Sequence, residues 1–394
     1  MFGGRRLQFK ASSFSASVLR VSLKYATLMG IICFSVKSEG SDGRLVAKNR
    51  EWYKWFCLIS RTLMCGLCIK IHKNFLLSLN ASHFTIILII RICIFIVGAI
   101  FTLVIQFRYG QRVVNLVNRL LMLFQRIYAL PGNRYKGYGG KWVLTLLLLK
   151  VISLMYESCY LIPELILDFN TSFALVVFSD VYNNVNAFII WHVYFVTFLS
   201  IGIIYDQVNS YVRHELRQQL SELNSSNGLP VSRRKLNAAG HCLDECLAIY
   251  EEVYQVGNNF HRLFEFPLCV ILMFGFLIVA SAVFILLKQC GDNGLWLTPL
   301  KTLLDILLLT VSVHIASCNS RVVRRLSLEN YFVGESKDWH MKLEMFLSRL
   351  NYNEFRVRLL GLFEVSNELI LVFMSALVTY ITYIMQYEMQ SNPN

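Results

Sequence analysis

A set of polar side chains near the C-terminal end of the sequence shares one face of a predicted helix, here named the polar stripe. At about 100° per residue, its members fall within an arc of roughly 60°. The first two are carboxylates, and the others carry hydroxyl or amide groups that can replace water around an ion. A path lined in this way would favour cations. The polar stripe consists of Glu364, Glu368, Ser375, Thr379, Thr382 and Gln386.

The polar stripe lies in a segment that is otherwise apolar enough to cross a bilayer. A polar group that faces lipid without a hydrogen-bond partner costs up to several kcal/mol, so the stripe must face other helices or water. Helix–helix contact, in which Ser and Thr bond to backbone and neighbours, accounts for the stripe as well as a water-filled path does. The stripe alone leaves both interpretations open.

Apolar blocks of about 20 residues or more recur along the chain, and this length crosses about 30 Å of hydrocarbon. Of the 394 residues, 55% are hydrophobic, which is too high a fraction for an ordinary soluble domain of this size. The sequence therefore predicts an all-α polytopic membrane protein with seven transmembrane helices. The predicted spans are residues 53–72, 84–107, 143–166, 173–205, 266–287, 297–318 and 366–387.

The basic residues predict which side of the membrane each loop faces. Residues 108–141 hold several Lys and Arg and no acid, whereas loops 73–83, 167–172 and 288–296 hold almost none. By the positive-inside rule, the first loop is cytoplasmic, the N-terminus is cytoplasmic and the C-terminus is extracellular. The same pattern accounts for the net charge of +13, so nucleic-acid binding is not indicated.

Glycosylation motifs agree with this topology. The sequons "NAS" at Asn80 and "NTS" at Asn170 fall in loops that the charge pattern places outside. We therefore predict glycosylation at both. A third sequon, "NSS" at Asn224, falls in a predicted cytoplasmic loop and should stay unmodified. The predicted orientation is the reverse of that of a G-protein-coupled receptor.

Residues 18–36 form a further, shorter apolar stretch that contains Arg20 and Lys24. If this stretch spanned the membrane, the basic N-terminus would lie outside, against the positive-inside rule. We expect it to form a helix that dips into the membrane or lies on it, within a cytoplasmic N-terminal region of residues 1–52.

Two cytoplasmic connections are long and keep helical periodicity in places, although they are too polar for the bilayer. We expect their helices to pack together below the membrane as an anchor. The predicted organisation is a bundle of four spans (53–205), a first anchor region (206–263), two spans (264–318), further anchor helices (319–361), a last span (362–387) and an extracellular tail (388–394).

The sequence of the last span resembles the C-terminal signature of insect gustatory receptors, which is Thr-Tyr, five hydrophobic residues and Gln-Phe. Here Thr379-Tyr380 is followed by five residues and Gln386, while Tyr387 replaces the usual Phe and Thr382 interrupts the hydrophobic residues. The stretch "YATLMGIICF" near the N-terminus also resembles the opening of that family. Chain length, the predicted spans and the long fourth-to-fifth connection extend the resemblance over the whole chain.

The resemblance implies a tastant-gated, non-selective cation channel in the plasma membrane of a chemosensory neuron dendrite, built as a homo- or hetero-tetramer. A bitter tastant is the expectation, because the sugar and carbon-dioxide branches of the family are small. A G-protein-coupled-type receptor, an odorant receptor and a secondary transporter are the alternatives. We assign the pore lining and gate to Ser375, Thr379, Thr382, Tyr383 and Gln386, and the inner mouth of the pore to Glu364 and Glu368.

Ionisable and aromatic residues inside the spans are candidates for the tastant pocket, because burying a charge costs a few kcal/mol or more and aromatic rings suit small ligands. Ordinary helix packing is the alternative role for the aromatic residues. Arg91 and Lys150 are expected to extend to a membrane interface instead. The pocket candidates are Tyr156, Glu157, Tyr160, Asp180, Tyr182, Trp191 and Asp305.

Metal and cofactor chemistry has little support in the sequence. His241, Cys242 and Cys246 share a helical face, but a metal site needs more ligands. There is no phosphate-binding loop, nucleophile elbow or zinc-binding helix, so we predict neither a cofactor nor an enzyme. Cys159 and Cys290 fall near membrane ends on one predicted side, where a disulfide between them is conceivable.

Overall fold

The computed structural model confirms the predicted all-α class. It describes residues 2–30, 32–39, 44–78, 83–132, 137–159, 162, 166, 170–225, 233–288, 297–322, 337–352, 355–361 and 363–391. The helices are α1 (Phe2–Leu28), α2 (Glu51–Ser78), α3 (His83–Arg108), α4 (Gly110–Ala129), α5 (Lys141–Cys159), α6 (Thr171–Ser210, continued by a π-helical turn at Tyr211–Leu216), α7 (Arg217–Ser225), α8 (Arg233–Lys288), α9 (Leu297–Val322), α10 (Lys337–Tyr352) and α11 (Asn367–Ser391). The strands are β1 (Phe34–Glu39), β2 (Arg44–Asn49), β3 (Arg358–Leu359) and β4 (Phe363–Glu364).

Helix α6 forms the centre of the bundle. It packs against α2, α3, α5, α8 and α9, and 83% of its most apolar stretch is buried, against 44% for α8 and 50% for α9. Apolar residues lie on all sides of α6, which is the pattern of a helix enclosed by others. Close approach to α3 depends on Gly98, because a Cβ atom there would lie 2.8 Å from the Cα of Ala187.

Helices α2, α3, α5, α6, α8, α9 and α11 cover the predicted spans, except that α5 ends at Cys159. In the part of the chain that the structure describes, three stretches are each long and apolar enough to cross a membrane alone: Phe173–Glu222, Arg234–Ala280 and Pro299–Arg321. The pair α3 and α4, bent by 77° at Tyr109, passes the same test when it is taken together, and Glu368–Tyr383 is a shorter apolar helix.

The N-terminal region differs from the predicted helix over residues 18–36. Helix α1 ends at Leu28, Gly30 follows with φ +70°, and β1 then pairs antiparallel with β2. The left-handed conformation at Gly30 cannot continue a helix, so the chain turns there. The hairpin is held by Asn118 of α4, whose side chain accepts from the N–H of Ala47 (2.7 Å) and donates to its carbonyl (3.1 Å).

The basic stretch after α3 forms α4, which is joined to α8 by ion pairs. Arg126 contacts the carboxylates of Glu245 (2.8 Å) and Glu252 (2.7 Å), and Arg119 contacts Glu252 at 3.1 Å. Hydrogen bonding to Glu245 raises the pKa of Arg126, so its guanidinium stays charged at physiological pH. The acids that recur along α8 are therefore partners for the basic side chains of α4.

A second polar contact lies where α6, α8 and α9 converge. The Tyr250 hydroxyl of α8 donates to Asn209 of α6, whose amide donates to the carbonyl of Asn319 at 2.8 Å. Asn319 in turn donates to the carbonyl of Gly202 at 3.0 Å. Burial raises the pKa of Tyr250 well above its ordinary value, so its hydroxyl remains a neutral donor.

Candidate functional site

Three of the ionisable residues in the bundle form a buried ion-pair cluster. The Asp305 carboxylate of α9 accepts from Lys150 Nζ (2.6 Å) and Ser153 Oγ (2.7 Å) of α5, and its other oxygen lies 2.8 Å from Lys301 Nζ. The side chains of Lys150, Lys301 and Asp305 are only 3%, 9% and 1% exposed. The expectation that Lys150 extends to an interface is therefore wrong, because a carboxylate inside the bundle compensates its charge.

Aromatic rings of α6 lie beside this cluster. Lys301 Nζ is 4.8 Å from the centre of the Phe188 ring, and the Phe188 and Trp191 rings are 5.0 Å apart. Trp191 is fully buried against Gly275 of α8, where a Cβ atom would lie 2.7 Å from the indole ring. His192, the next residue along α6, is also buried. The arrangement combines apolar surface with a few fixed charges, as small-molecule pockets do.

Several polar atoms of α6 remain unsatisfied. Among the described residues, Trp191 Nε1, His192 Nδ1 and Asn186 Oδ1 are buried without a hydrogen-bond partner. Buried polar atoms are nearly always paired with protein or water, so each exception calls for an explanation. A polar ligand or an ordered water at these atoms would supply one.

A second polar cluster surrounds Arg61, a residue that the sequence analysis missed. Its guanidinium is 1% exposed and donates to the Gly30 carbonyl at 2.6 Å, which also accepts from Gln106 at 2.9 Å. The neighbouring Ser60 lies 3.2 Å from the Tyr182 hydroxyl. The sequence could have singled out Arg61, because it is an arginine within an apolar predicted span. Charged residues inside a membrane are rare and are functional candidates by default.

The other pocket candidates are distributed as follows. Asp180 is buried on α6, Tyr182 is half-buried, and Tyr156 is half-exposed on α5. Glu157 lies on α5, but its side chain is outside the described residues, as are the side chain of Arg91 and all of Tyr160. The ion-pair cluster thus contains Asp305, with Trp191 close by, while Tyr182 belongs to the Arg61 cluster.

Helix α11 packs on α8 and α9 by one face only. Phe373, Leu377 and Tyr380 make this contact, and the Phe276 ring of α8 lies 5.4 Å from Phe373 and 6.0 Å from Tyr380. The opposite side is exposed in the single chain. It carries Ser375, Thr379, Thr382, Tyr383 and Gln386. Within the described residues, contact with other helices of the same chain therefore does not explain the polar stripe.

The carboxylate end of the stripe differs from the prediction. Glu368 is exposed in the first turn of α11, as a helical stripe requires. Glu364 instead lies in β4, opposite Arg358 of β3, because Leu360 (φ +49°) and Gly361 (φ +71°) form a turn that interrupts the helix. The helical position predicted for Glu364 is therefore wrong, although the residue stays close to the start of α11.

The candidate modification sites are only partly described. Asn170 is exposed directly before α6, whereas Asn80 and Cys290 lie outside the described residues. Cys159 is half-buried at the end of α5, so a pairing with Cys290 stays untested.

The arrangement of the helices and the half-exposed α11 define a multi-pass membrane protein, and comparison with known proteins identifies its class. Residues 19–391 match the 7tm chemosensory receptor family. The chain belongs to this family, which comprises receptors rather than enzymes.

Individual relatives agree with this assignment. The Drosophila melanogaster protein named "Putative gustatory receptor 93c" is 39% identical over 388 residues, covering 96% of each chain. The Drosophila melanogaster protein named gustatory receptor for bitter taste 93a is 24% identical over 308 residues, covering 73% of this chain and 71% of the relative. The fold is similar to the solved structure of the insect olfactory receptor OR5 from Machilis hrabei, with TM-score 0.62, 12% identity and coverage of 94% of this chain and 99% of that one.

Proposed function

We propose that this gustatory-family receptor is a tastant-gated, non-selective cation channel in the dendritic plasma membrane of insect chemosensory neurons. The observation that carries the proposal is the exposed polar side of α11. Water or another subunit, rather than lipid, suits a side of a membrane helix on which its own chain leaves Ser375, Thr379, Thr382 and Gln386 uncovered.

Several copies of the chain around an axis would satisfy this requirement. We propose a homo- or hetero-tetramer in which each α11 contributes its polar stripe to a central pore. The contact of Phe373 and Tyr380 with Phe276 would hold α11 in place from behind. The hydroxyls of Thr379 and Thr382 donate to the carbonyls of Ser375 and Val378 one turn earlier, which leaves their oxygen lone pairs free to accept from water or to contact a cation.

The proposed orientation places the start of α11 in the cytoplasm and its end outside. Glu368 and Glu364 then lie at the inner mouth of the pore, where carboxylates concentrate cations. The ion pairs between α4 and α8 fall in the cytoplasmic anchor, and the exposed Asn170 falls outside as a glycosylation site.

The proposed tastant pocket lies between α5, α6, α8 and α9. It is bounded by Trp191 and His192, whose unsatisfied polar atoms can bond to a ligand, and by the cluster around Asp305. Bitter compounds are the proposed ligands, and the relative named for bitter taste supports this choice. A tastant opens the pore only through a higher affinity for the open conformation.

Current recording with a panel of bitter compounds, including quinine, denatonium and caffeine, tests the proposal. We expect tastant-evoked cation currents from the wild-type chain, a lower conductance in Glu368→Gln, and altered gating or permeation in Gln386→Ala. Glu344→Gln, an exposed change on α10, is the charge-matched control. Unchanged conductance and ion selectivity in both pore variants would refute the assignment of the polar stripe to a pore.

A further inference from the structure

The segment that joins α10 to α11 is fixed in the core of the protein. We call the described residues 355–361 and 363–366 the linker hairpin. Phe355, Val357 and Leu359 alternate into the core and are at most 3% exposed. The Phe355 ring approaches α8 so closely that a Cβ atom at Gly257 would lie 2.7 Å from it. Movement of α8 must therefore be transmitted to the linker hairpin.

Two side chains of α8 bind the backbone of the linker hairpin. His261 Nε2 lies 2.8 Å from the carbonyl oxygen of Arg358. One turn later, the Glu265 carboxylate accepts a hydrogen bond from the N–H of Leu360. Both backbone groups lie on the N-terminal side of the left-handed turn at Leu360 and Gly361, so these bonds tie the strand that leads into the turn to α8.

The hydrogen bonds fix the tautomer of His261. A carbonyl oxygen only accepts, so Nε2 must carry the proton that His261 donates to Arg358. Nδ1 is then the acceptor, and the Tyr194 hydroxyl, 2.5 Å away, donates to it. A protonated His261 would lose this acceptor. The chain of bonds thus runs in one direction, from Tyr194 through neutral His261 to the Arg358 carbonyl.

One end of this chain lies beside the proposed pocket, and the other end lies in the linker hairpin, which leads to the start of α11. Tyr194 is fully buried on α6, one turn from Trp191. At the other end, the linker hairpin is closed by the bond from Val365 N–H to the Val357 carbonyl (2.8 Å). Ser366 then caps the start of α11, accepting from the Glu368 N–H at 3.2 Å.

We propose that His261 is a positioning residue that couples the tastant pocket to the pore helix. A tastant that shifts α6 near Trp191 moves the Tyr194 hydroxyl, and His261 transmits this change to the Arg358 carbonyl and hence to the start of α11. The inference rests on the proposed channel function. It adds the route by which the pocket biases the pore.

Removal of one oxygen atom tests the coupling. The readout is the current per receptor, which is the maximal current evoked by the most effective compound of the panel, divided by surface expression. We expect Tyr194→Phe to lower this current by about fivefold or more, within the usual range of coupling between sites. His261→Ala should do the same. His261→Gln should recover most of the response, because its amide can donate to the Arg358 carbonyl and accept from Tyr194.

Tyr128→Phe is the matched control, because it also removes a tyrosine hydroxyl that makes a hydrogen bond. The hydroxyl of Tyr128, on α4, donates to the backbone carbonyl of Gly137 at 2.9 Å and takes no part in the Tyr194–His261 chain. A merely structural role would lower surface expression without changing the current per receptor. If His261→Ala does not reach the surface, Tyr194→Phe and His261→Gln decide the question.

Two outcomes overturn different claims. If the wild-type chain passes no current with any compound of the panel, the channel function fails and the coupling route fails with it. If the wild-type chain conducts and Tyr194→Phe matches Tyr128→Phe in current per receptor, the coupling route alone is refuted.

Discussion

Replacement of Asp305 by Asn should destabilise the protein strongly. The change removes the carboxylate that compensates Lys150 and Lys301 but keeps the size of the side chain. Both lysine side chains are less than a tenth exposed, so solvent cannot replace the lost partner. Breaking a buried ion pair costs about 3–5 kcal/mol. At the lower figure, the ratio of folded to unfolded protein falls by roughly a hundredfold.

Asp244→Asn is the matched control for this experiment. Asp244 pairs with Lys342 at 3.0 Å, but the two side chains are 54% and 42% exposed. An exposed ion pair contributes about 0–1 kcal/mol. The same chemical change should therefore have little effect at this second site.

Thermal melting in detergent, followed by fluorescence size-exclusion chromatography, measures the difference. Asp305→Asn should show a lower melting temperature and less surface expression than Asp244→Asn. Adding Lys150→Met to Asp305→Asn should restore part of the loss, because one uncompensated charge is removed. Equal melting temperatures for the two single variants would show that Asp305 is not needed to compensate the buried lysines.

Three further predictions concern packing and the anchor, each measured by the same melting assay. Gly98→Ala should lower the free energy of unfolding by about 1–3 kcal/mol, because its Cβ would overlap the α6 backbone. Gly66→Ala, with no atom within 4 Å of its Cβ, should be neutral or stabilising. Similar losses in the two variants would contradict the close approach of α3 and α6. Tyr250→Phe should lower the free energy of unfolding by about 1–3 kcal/mol, since it leaves the buried Asn209 oxygen without its donor. No loss of stability would mean that this oxygen finds another hydrogen-bond partner. Arg126→Ala should lower the free energy of unfolding by only about 1 kcal/mol, because its ion pairs are about one-third exposed. A much larger loss would mean that the pairs are better shielded from solvent than their exposure indicates.

The apolar blocks predicted the helices well, because a long apolar run can bury its backbone only as a helix inside a membrane. The same principle singled out α11, where a polar stripe interrupts the apolar pattern. Side-chain partners were harder to predict. Lys150 was expected at an interface because its partner, Asp305, is 155 residues away in the sequence. No local pattern specifies such a pairing.

Short irregular elements were also missed. The helical spacing of the polar stripe includes Glu364, but this residue precedes the helix, because Leu360 and Gly361 form a turn before α11 begins. The β1–β2 hairpin was not predicted, and the helix predicted over residues 18–36 ran into the first three residues of β1, where Phe34 and Val36 continue the apolar stretch. Arg61 was overlooked although it lies within a predicted span, and its partners, the Gly30 carbonyl and Gln106, are too distant in the sequence for a local pattern to indicate them.

Helix α8 is one continuous element of 56 residues, which at 1.5 Å per residue is about 84 Å long. Its side chains reach, in order, the arginines of α4, the linker hairpin and the back of α11 through Phe276. An insertion of one residue between Glu252 and Phe276 would rotate one set of contacts by about 100° relative to the other. Relatives that keep this arrangement should therefore tolerate substitutions along this stretch but neither insertions nor deletions, and changes in length should concentrate in the loops.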